Sequence, residues 1–153
     1  MDNRQLASVF RDLARLLEYK GENQFKVRAY ANASLVIKDY HEELRDVVAR
    51  GEDLRQIQGI GDAIALKIHE LLTTGQLAFY DRVARDVPEG TLSLMNLPGI
   101  GPRTAARLAA EHGITSVEEL EQALRSAGPG GLPGIGAVTE ASILKAIESL
   151  RSQ

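Results

Sequence analysis

The sequence contains no cysteine. That absence excludes disulfides, thiolate metal sites and cysteine nucleophiles together. No apolar run approaches the ~20 residues that a membrane span needs. The opening MDNRQLASVF has no charged-then-apolar signal layout, so a cytoplasmic location is expected and no membrane partner. No alternating apolar and polar stretch bounded by turn residues occurs, so nothing reads as a strand pair. Positive charge is also short: 18 Lys and Arg stand against 21 Asp and Glu, for a net −3. Taken whole, that balance speaks against a nucleic-acid partner, whose phosphates usually select a basic footprint.

What is present is an ordinary globular composition, 44% hydrophobic and 25% charged in 153 residues. A chain of this length can bury roughly 70% of its unfolded surface and needs no covalent staples. The apolar periodicity is helical almost throughout, which makes the fold class all-α. Leu6, Phe10, Leu13 and Leu17 recur at three- and four-residue intervals behind Asp2 and Asn3, both good N-caps. A second helix is expected from about Glu22 to Asp39, with Phe25, Ala29, Ala33, Val36 and Ile37 facing inward. A third is expected from His41 to a C-cap at Gly51. Further helical stretches span 62–74, 77–86, 102–111, 116–126 and 137–151. The connector Val87-Pro88-Glu89-Gly90 divides the chain into two small helical domains, 1–86 and 87–153.

One pattern occurs three times. Leu54-Arg55-Gln56-Ile57-Gln58-Gly59-Ile60-Gly61, Leu94-Met95-Asn96-Leu97-Pro98-Gly99-Ile100-Gly101 and Leu132-Pro133-Gly134-Ile135-Gly136 each lead into a helical stretch. Their first glycines are 40 and then 35 residues apart. A dinucleotide-binding fingerprint is excluded, because no strand precedes the glycines and the third glycine is missing. The layout is that of a helix-hairpin-helix motif. Its first glycine permits a turn that a side chain would obstruct, its isoleucine pins the hairpin by burial, and its second glycine opens the next helix. The free N–H groups of that helix, at the positive end of its dipole, suit a phosphate oxygen. The alternative is that the three are compact helix corners and nothing more.

The copies differ in charge. Pro102 opens the helix of the second copy, followed by Arg103, Thr104 and Arg107 with no acid before Glu111. That makes Gly99, Ile100, Gly101, Arg103, Thr104 and Arg107 the strongest DNA-backbone contact in the chain. In the first copy Gly59, Ile60 and Gly61 are followed by Asp62, which Arg55 and Lys67 offset in part. The third has no early cation and reads mainly as packing. Residues 20–38 hold four cations against Glu22 alone, and residues 99–110 hold two arginines and no acid. The acidic total therefore predicts short-range, salt-sensitive DNA binding rather than broad electrostatic coating.

The segments ASVFRDLARLLEYKGENQFKVRAYANAS, QGIGDAIALKIHELLTTGQL, VPEGTLSLMNLPGIGPRTAARLAAEHGITSVEELEQAL and LPGIGAVTEASILKAI, in this order, resemble the amino-terminal part of bacterial and archaeal family X DNA polymerases, the DNA polymerase beta-like repair enzymes. The resemblance covers essentially the whole chain. It implies a lyase-type helical domain carrying the first hairpin and a fingers-like region carrying the second, which grip DNA on either side of a short gap or nick. It also implies a monovalent cation, sodium or potassium, held by the backbone carbonyls of Arg55, Ile57 and Ile60, and of Met95, Leu97 and Ile100, and bridging to a phosphate. No cofactor is otherwise required here. Magnesium belongs to the polymerase palm, which would begin where these residues end. His41, His69 and His112 are scattered and read as solvated helix residues. A monomer is expected, with the palm or repair proteins as further partners.

The same resemblance matches Lys67 to a lysine that removes 5′-deoxyribose phosphate by forming a Schiff base with the sugar aldehyde. Lys26 and Tyr30 match the pocket for the 5′-phosphate, with Arg28 on the same helix. Phe25, Ala63 and Phe79 depart from the vertebrate pattern, which has a histidine and two pocket lysines there. By periodicity Lys67 lies about 70° from the centre of the stripe Ile60, Ile64, Ile68 and Leu71. That edge position suits a half-buried nucleophile and also a lysine that snorkels to DNA without reacting. The expectations are thus a DNA-binding module, a lyase acting through Lys67, or a non-enzymatic protein-interaction adaptor.

Overall fold

The computed structural model describes residues 1–152. Nine α-helices and one short 3-10 helix occur among these residues, and no strand. They form two compact units, one spanning Met1–Asp86 and one running from Val87 onward.

In the first unit, α1 (Asn3–Tyr19) begins with a reciprocal capping box. The Asp2 carboxylate accepts from the Gln5 amide at 2.8 Å, and the Gln5 side chain accepts from the Asp2 amide at 2.8 Å. Asp2 is the cap that the sequence suggests. Asn3 is not: it lies inside the first turn, buried, and acts as a clamp. Its side chain donates to the Glu42 carbonyl and accepts from the Leu44 amide, each at 2.8 Å. That clamp fixes the 41–43 connector in a non-helical path, so α3 runs Leu44–Ala49 and starts later than His41.

Helix α2 (Gln24–Asp39) packs on α1 after a turn at Gly21, and Asn23 caps it by accepting from the Phe25 amide. Its inward face corrects the one expected from periodicity. Val27, Tyr30, Ala33, Ser34 and Ile37 are buried, whereas Phe25 is 80% exposed, Ala29 is exposed and Val36 is half-buried. Apolar residues occur on almost every face of this helix, so their spacing does not select a stripe. Selection comes from packing: Tyr30 stacks on Phe10 of α1, and Ser34 Oγ donates to the Ala7 carbonyl at 2.8 Å. Beyond a 3-10 turn (Leu54–Gln56), α4 (Asp62–Thr74) and α5 (Ala78–Arg85) complete the unit. The Glu70 carboxylate accepts from the Ala78 amide at 2.8 Å and so caps α5 from α4.

The second unit starts with α6 (Thr91–Met95), a five-residue helix too short for periodicity to announce. Gly90 before it is close-packed: a Cβ there would lie 2.9 Å from the Thr115 carbonyl. Helices α7 (Pro102–His112), α8 (Val117–Ala127) and α9 (Ala137–Arg151) follow. Glu121 of α8 is buried and bridges Arg125 and Arg151. These bonds, that to Arg151 foremost, hold its carboxyl below the ordinary glutamate range. Glu140 is buried on α9 and accepts from the Gly130 amide at 2.8 Å.

Candidate nucleic-acid interface

The three glycine-isoleucine-glycine turns have one construction. The first glycines, Gly59, Gly99 and Gly134, have φ of +96°, +75° and +88°, the left-handed region that side chains avoid. Two of them also meet a neighbour closely. A Cβ on Gly59 would lie 2.9 Å from Val36 Cγ2 of α2, and one on Gly99 would lie 2.7 Å from Thr139 Cγ2 of α9. The isoleucines between the glycines, Ile60, Ile100 and Ile135, are 3–5% exposed. Each closes its turn by donating its amide three residues back, to the carbonyls of Ile57, Leu97 and Leu132 at 3.0–3.2 Å.

The second glycines, Gly61, Gly101 and Gly136, stand as N-caps of α4, α7 and α9 in extended backbone. None provides a side-chain cap, so the first-turn amides keep their donors. Among the described residues, nothing beyond the adjacent residues of the chain lies within 4 Å of where their Cβ atoms would be. Glycine is therefore not enforced there by the fold; it leaves open the approach to the helix end.

Charge separates the three ends. At the first, Arg55 Nη2 pairs with Asp53 at 2.8 Å and Nη1 with Asp62 at 3.3 Å. The guanidinium pulls the Asp53 carboxyl down to about 2, and this cation is largely consumed locally. Lys67 does not join that offset; it lies at a different cluster described below. At the second, α7 has no acid in its first turn, Arg103 and Arg107 are exposed and Thr104 is half-buried. Gly134 of the third hairpin lies 3.9 Å from Arg107 Nη2, measured from its would-be Cβ, so that hairpin backs the arginine face of α7. At the third, the early acid Glu140 is turned inward onto Gly130.

In the first unit four helices converge on an aromatic stack. Tyr30 lies between Phe10 and Phe79, with ring centroids 6.2 and 5.8 Å away and interplanar angles of 17° and 18°. Over Phe79 sit three cations: Lys67 Nζ at 4.9 Å, Lys26 Nζ at 5.3 Å and Arg82 Cζ at 5.8 Å from the ring centroid. Lys67 Nζ is also 5.9 Å from the Tyr30 ring. Burial first, then Lys26, pushes the Lys67 amine below the ordinary lysine value; Glu70 pulls the other way, and Arg82 adds the smallest downward push. Burial pushes the Tyr30 hydroxyl up.

Lys26, Tyr30 and Lys67 are therefore brought together. Arg28 is not, because two residues along α2 is about 200° around the helix; it is exposed on another face. Phe79 and Arg82 complete the cluster and were not expected in it, although their i, i+3 spacing on α5 already placed them on one face. His41, His69 and His112 are exposed, the first in the connector before α3 rather than in a helix. Among the described residues no group of three or more His, Asp or Glu is placed to hold a metal ion. No helix there is long and apolar enough to cross a membrane.

Comparison with known proteins places this geometry. The family described as "Helix-hairpin-helix domain" matches residues 1–77, and that described as "SAM-like Helix-hairpin-helix tandem" matches residues 91–149. The chain is 29% identical over 147 residues to the DNA polymerase/3′-5′ exonuclease PolX of Bacillus subtilis strain 168, covering 96% of the chain and 25% of that protein. It is 31% identical over 120 residues to the DNA polymerase lambda of Arabidopsis thaliana, covering 78% of the chain and 22% of that protein. The chain thus spans about a quarter of the length of the curated relatives it matches.

Proposed function

The chain belongs to the helix-hairpin-helix family and is homologous to the amino-terminal part of family X DNA polymerases, and on that premise we propose that it binds gapped or nicked duplex DNA through backbone phosphates, without sequence preference, as the DNA-binding part of a repair polymerase. The observation that carries this reading is the set of glycine-capped helix ends whose amides are uncapped and whose approach is open. Uncapped amides at the positive end of a helix dipole bind a phosphate oxygen without reading a base. Arg103, Thr104 and Arg107 add charge-assisted contacts at α7. Anisotropy titration of gapped, nicked, intact and single-stranded DNA checks it. Tighter binding to the gapped and nicked duplexes is expected, and equal affinity for all four refutes the gap preference.

A monovalent cation suits the first two hairpins. The carbonyls of Ile57 and Leu97 each accept one turn hydrogen bond, from Ile60 and Ile100, and each keeps a second lone pair. With those of Arg55, Ile60, Met95 and Ile100 they form hard oxygen donors for sodium or potassium. When bound, such an ion supplies positive charge to a phosphate. That matters most at the first hairpin, where Asp62 would otherwise repel it.

A second reading, 5′-deoxyribose-phosphate lyase activity, is favoured by the cluster over Phe79. An amine whose pKa is lowered is neutral more often and can attack an aldehyde carbon. Lys67 Nζ would condense with the sugar aldehyde, forming the C=N bond and releasing water, while Lys26 and Arg82 hold the 5′-phosphate. Borohydride trapping on DNA carrying an incised abasic site checks this. A covalent adduct is expected in the unmodified chain and its loss in Lys67→Ala; an undiminished adduct refutes the assignment.

A further inference from the structure

Between α1 and α2 runs a groove of about 660 Å³, with Ala7, Ala14, Val27, Ala31 and Leu35 among its apolar lining. Small side chains at Ala7, Ala14 and Ala31 give it depth, and Leu35 remains 59% exposed at its edge. Its charged lining is Arg4, Arg11, Arg15 and Lys38 against one acid, Glu18. The arginines are spaced by seven and four residues, which places them on one stripe of α1 within about 40°. Arg11 has Asp12 at 3.8 Å. Burial, and then Arg11, pushes the Arg15 guanidinium below its ordinary value.

This face is separate from the cation cluster. Ala31 and Leu35 each lie five residues beyond Lys26 and Tyr30, about 140° around α2. No aromatic side chain lines the groove, so nucleobases have no stacking platform in it. An aliphatic floor beside a stripe of guanidinium groups is complementary to aliphatic side chains flanked by carboxylates.

We propose that the α1–α2 groove docks an acidic amphipathic helix from a protein partner, with its apolar side chains over Ala7, Ala14 and Ala31 and its carboxylates on the arginine stripe. Such a contact couples the DNA-binding chain to another protein without occupying the hairpins. The test uses the full chain and a synthetic helical peptide with leucines on one face and glutamates on both flanks, beside a control with lysines for glutamates. Saturable binding of the acidic peptide alone is expected, with amide shifts centred on Ala7, Ala14, Ala31 and Leu35. Arg4→Glu/Arg11→Glu should weaken it at least tenfold, and so should Ala31→Gln, an exposed helix position that obstructs the groove without a charge change. Gapped DNA should leave the peptide bound. The proposal is overturned by absent or unsaturable binding, by equal binding of the lysine peptide, or by affinity unchanged in both variants. Displacement of the peptide by gapped DNA would make the groove part of a nucleic-acid path. Self-association of the chain abolished by Leu35→Glu would make the occupant a second copy.

Discussion

The two glycines of each hairpin have different duties, and alanine substitution at the second hairpin separates them. Gly99→Ala places a side chain at φ +75° and its Cβ 2.7 Å from Thr139 Cγ2. The left-handed conformation costs about 1–2 kcal/mol, and overpacking a tight site adds about 1–3 kcal/mol. A loss of about 2–5 kcal/mol follows, and each kcal/mol lowers Tm by about 4–8 °C in a domain of 60–100 residues. Thr139→Ser removes the methyl that clashes, so the double variant should recover the overpacking part and leave the backbone part. Gly101→Ala differs on both counts. Its φ is −92° and its Cβ meets nothing, so stability should stay within about 0.5 kcal/mol. Its methyl stands where a phosphate would approach, and DNA affinity should fall while the fold is intact. Urea unfolding and anisotropy titration on the same samples measure the two quantities. A Gly101→Ala protein that unfolds early, or a stable Gly99→Ala protein, would refute this division.

Three further outcomes follow from the same contacts. Asn3→Ala removes the acceptor of the buried Leu44 amide and should cost about 1–3 kcal/mol in unfolding experiments, with α3 the first element to exchange its amides. Lys67 should titrate below the ordinary lysine value of about 10.4 when followed by NMR, and Arg82→Ala should move it up, since Arg82 opposes its charge; titration at or above that value would remove the basis for a nucleophile. Because Glu121 is held below the ordinary glutamate range, the unfolded chain binds its proton first as pH falls. The stability it contributes is present above the unfolded pKa and is lost as pH drops through the folded one. Glu121→Gln should therefore flatten the acid limb of a thermal-stability profile, and an unchanged limb would contradict that assignment.

Much of the fold was legible because the chain punctuates its helices. Gly75 and Gly113 end α4 and α7 in the left-handed conformation, Pro102 opens α7 and Ser116 caps α8. The hairpins were legible because one residue pattern recurs in one phase. Burial within α2 was not, since Phe25, Val27, Ala29, Tyr30 and Leu35 offer an apolar residue to nearly every direction, and contacts with Phe10 and Ala7 decide among them. Asn3 reads as a cap because caps are local, whereas its role depends on residues some forty positions away. The cation cluster was half legible. Lys26, Tyr30 and Lys67 were expected together by resemblance. Phe79 stood out only as a departure, and its use as a platform for Lys67 and Arg82 depends on the convergence of α1, α2, α4 and α5.

The central claim is that helix ends at the hairpins, reinforced by arginines at α7, hold DNA phosphates. The most direct measurement is the salt dependence of affinity for a gapped duplex, for the unmodified chain and for Arg103→Ala/Arg107→Ala. Each lost phosphate contact lowers the slope of log affinity against log salt by about one, so the double variant should bind more weakly at low salt with a slope shallower by about two. Unchanged affinity and slope would contradict the account.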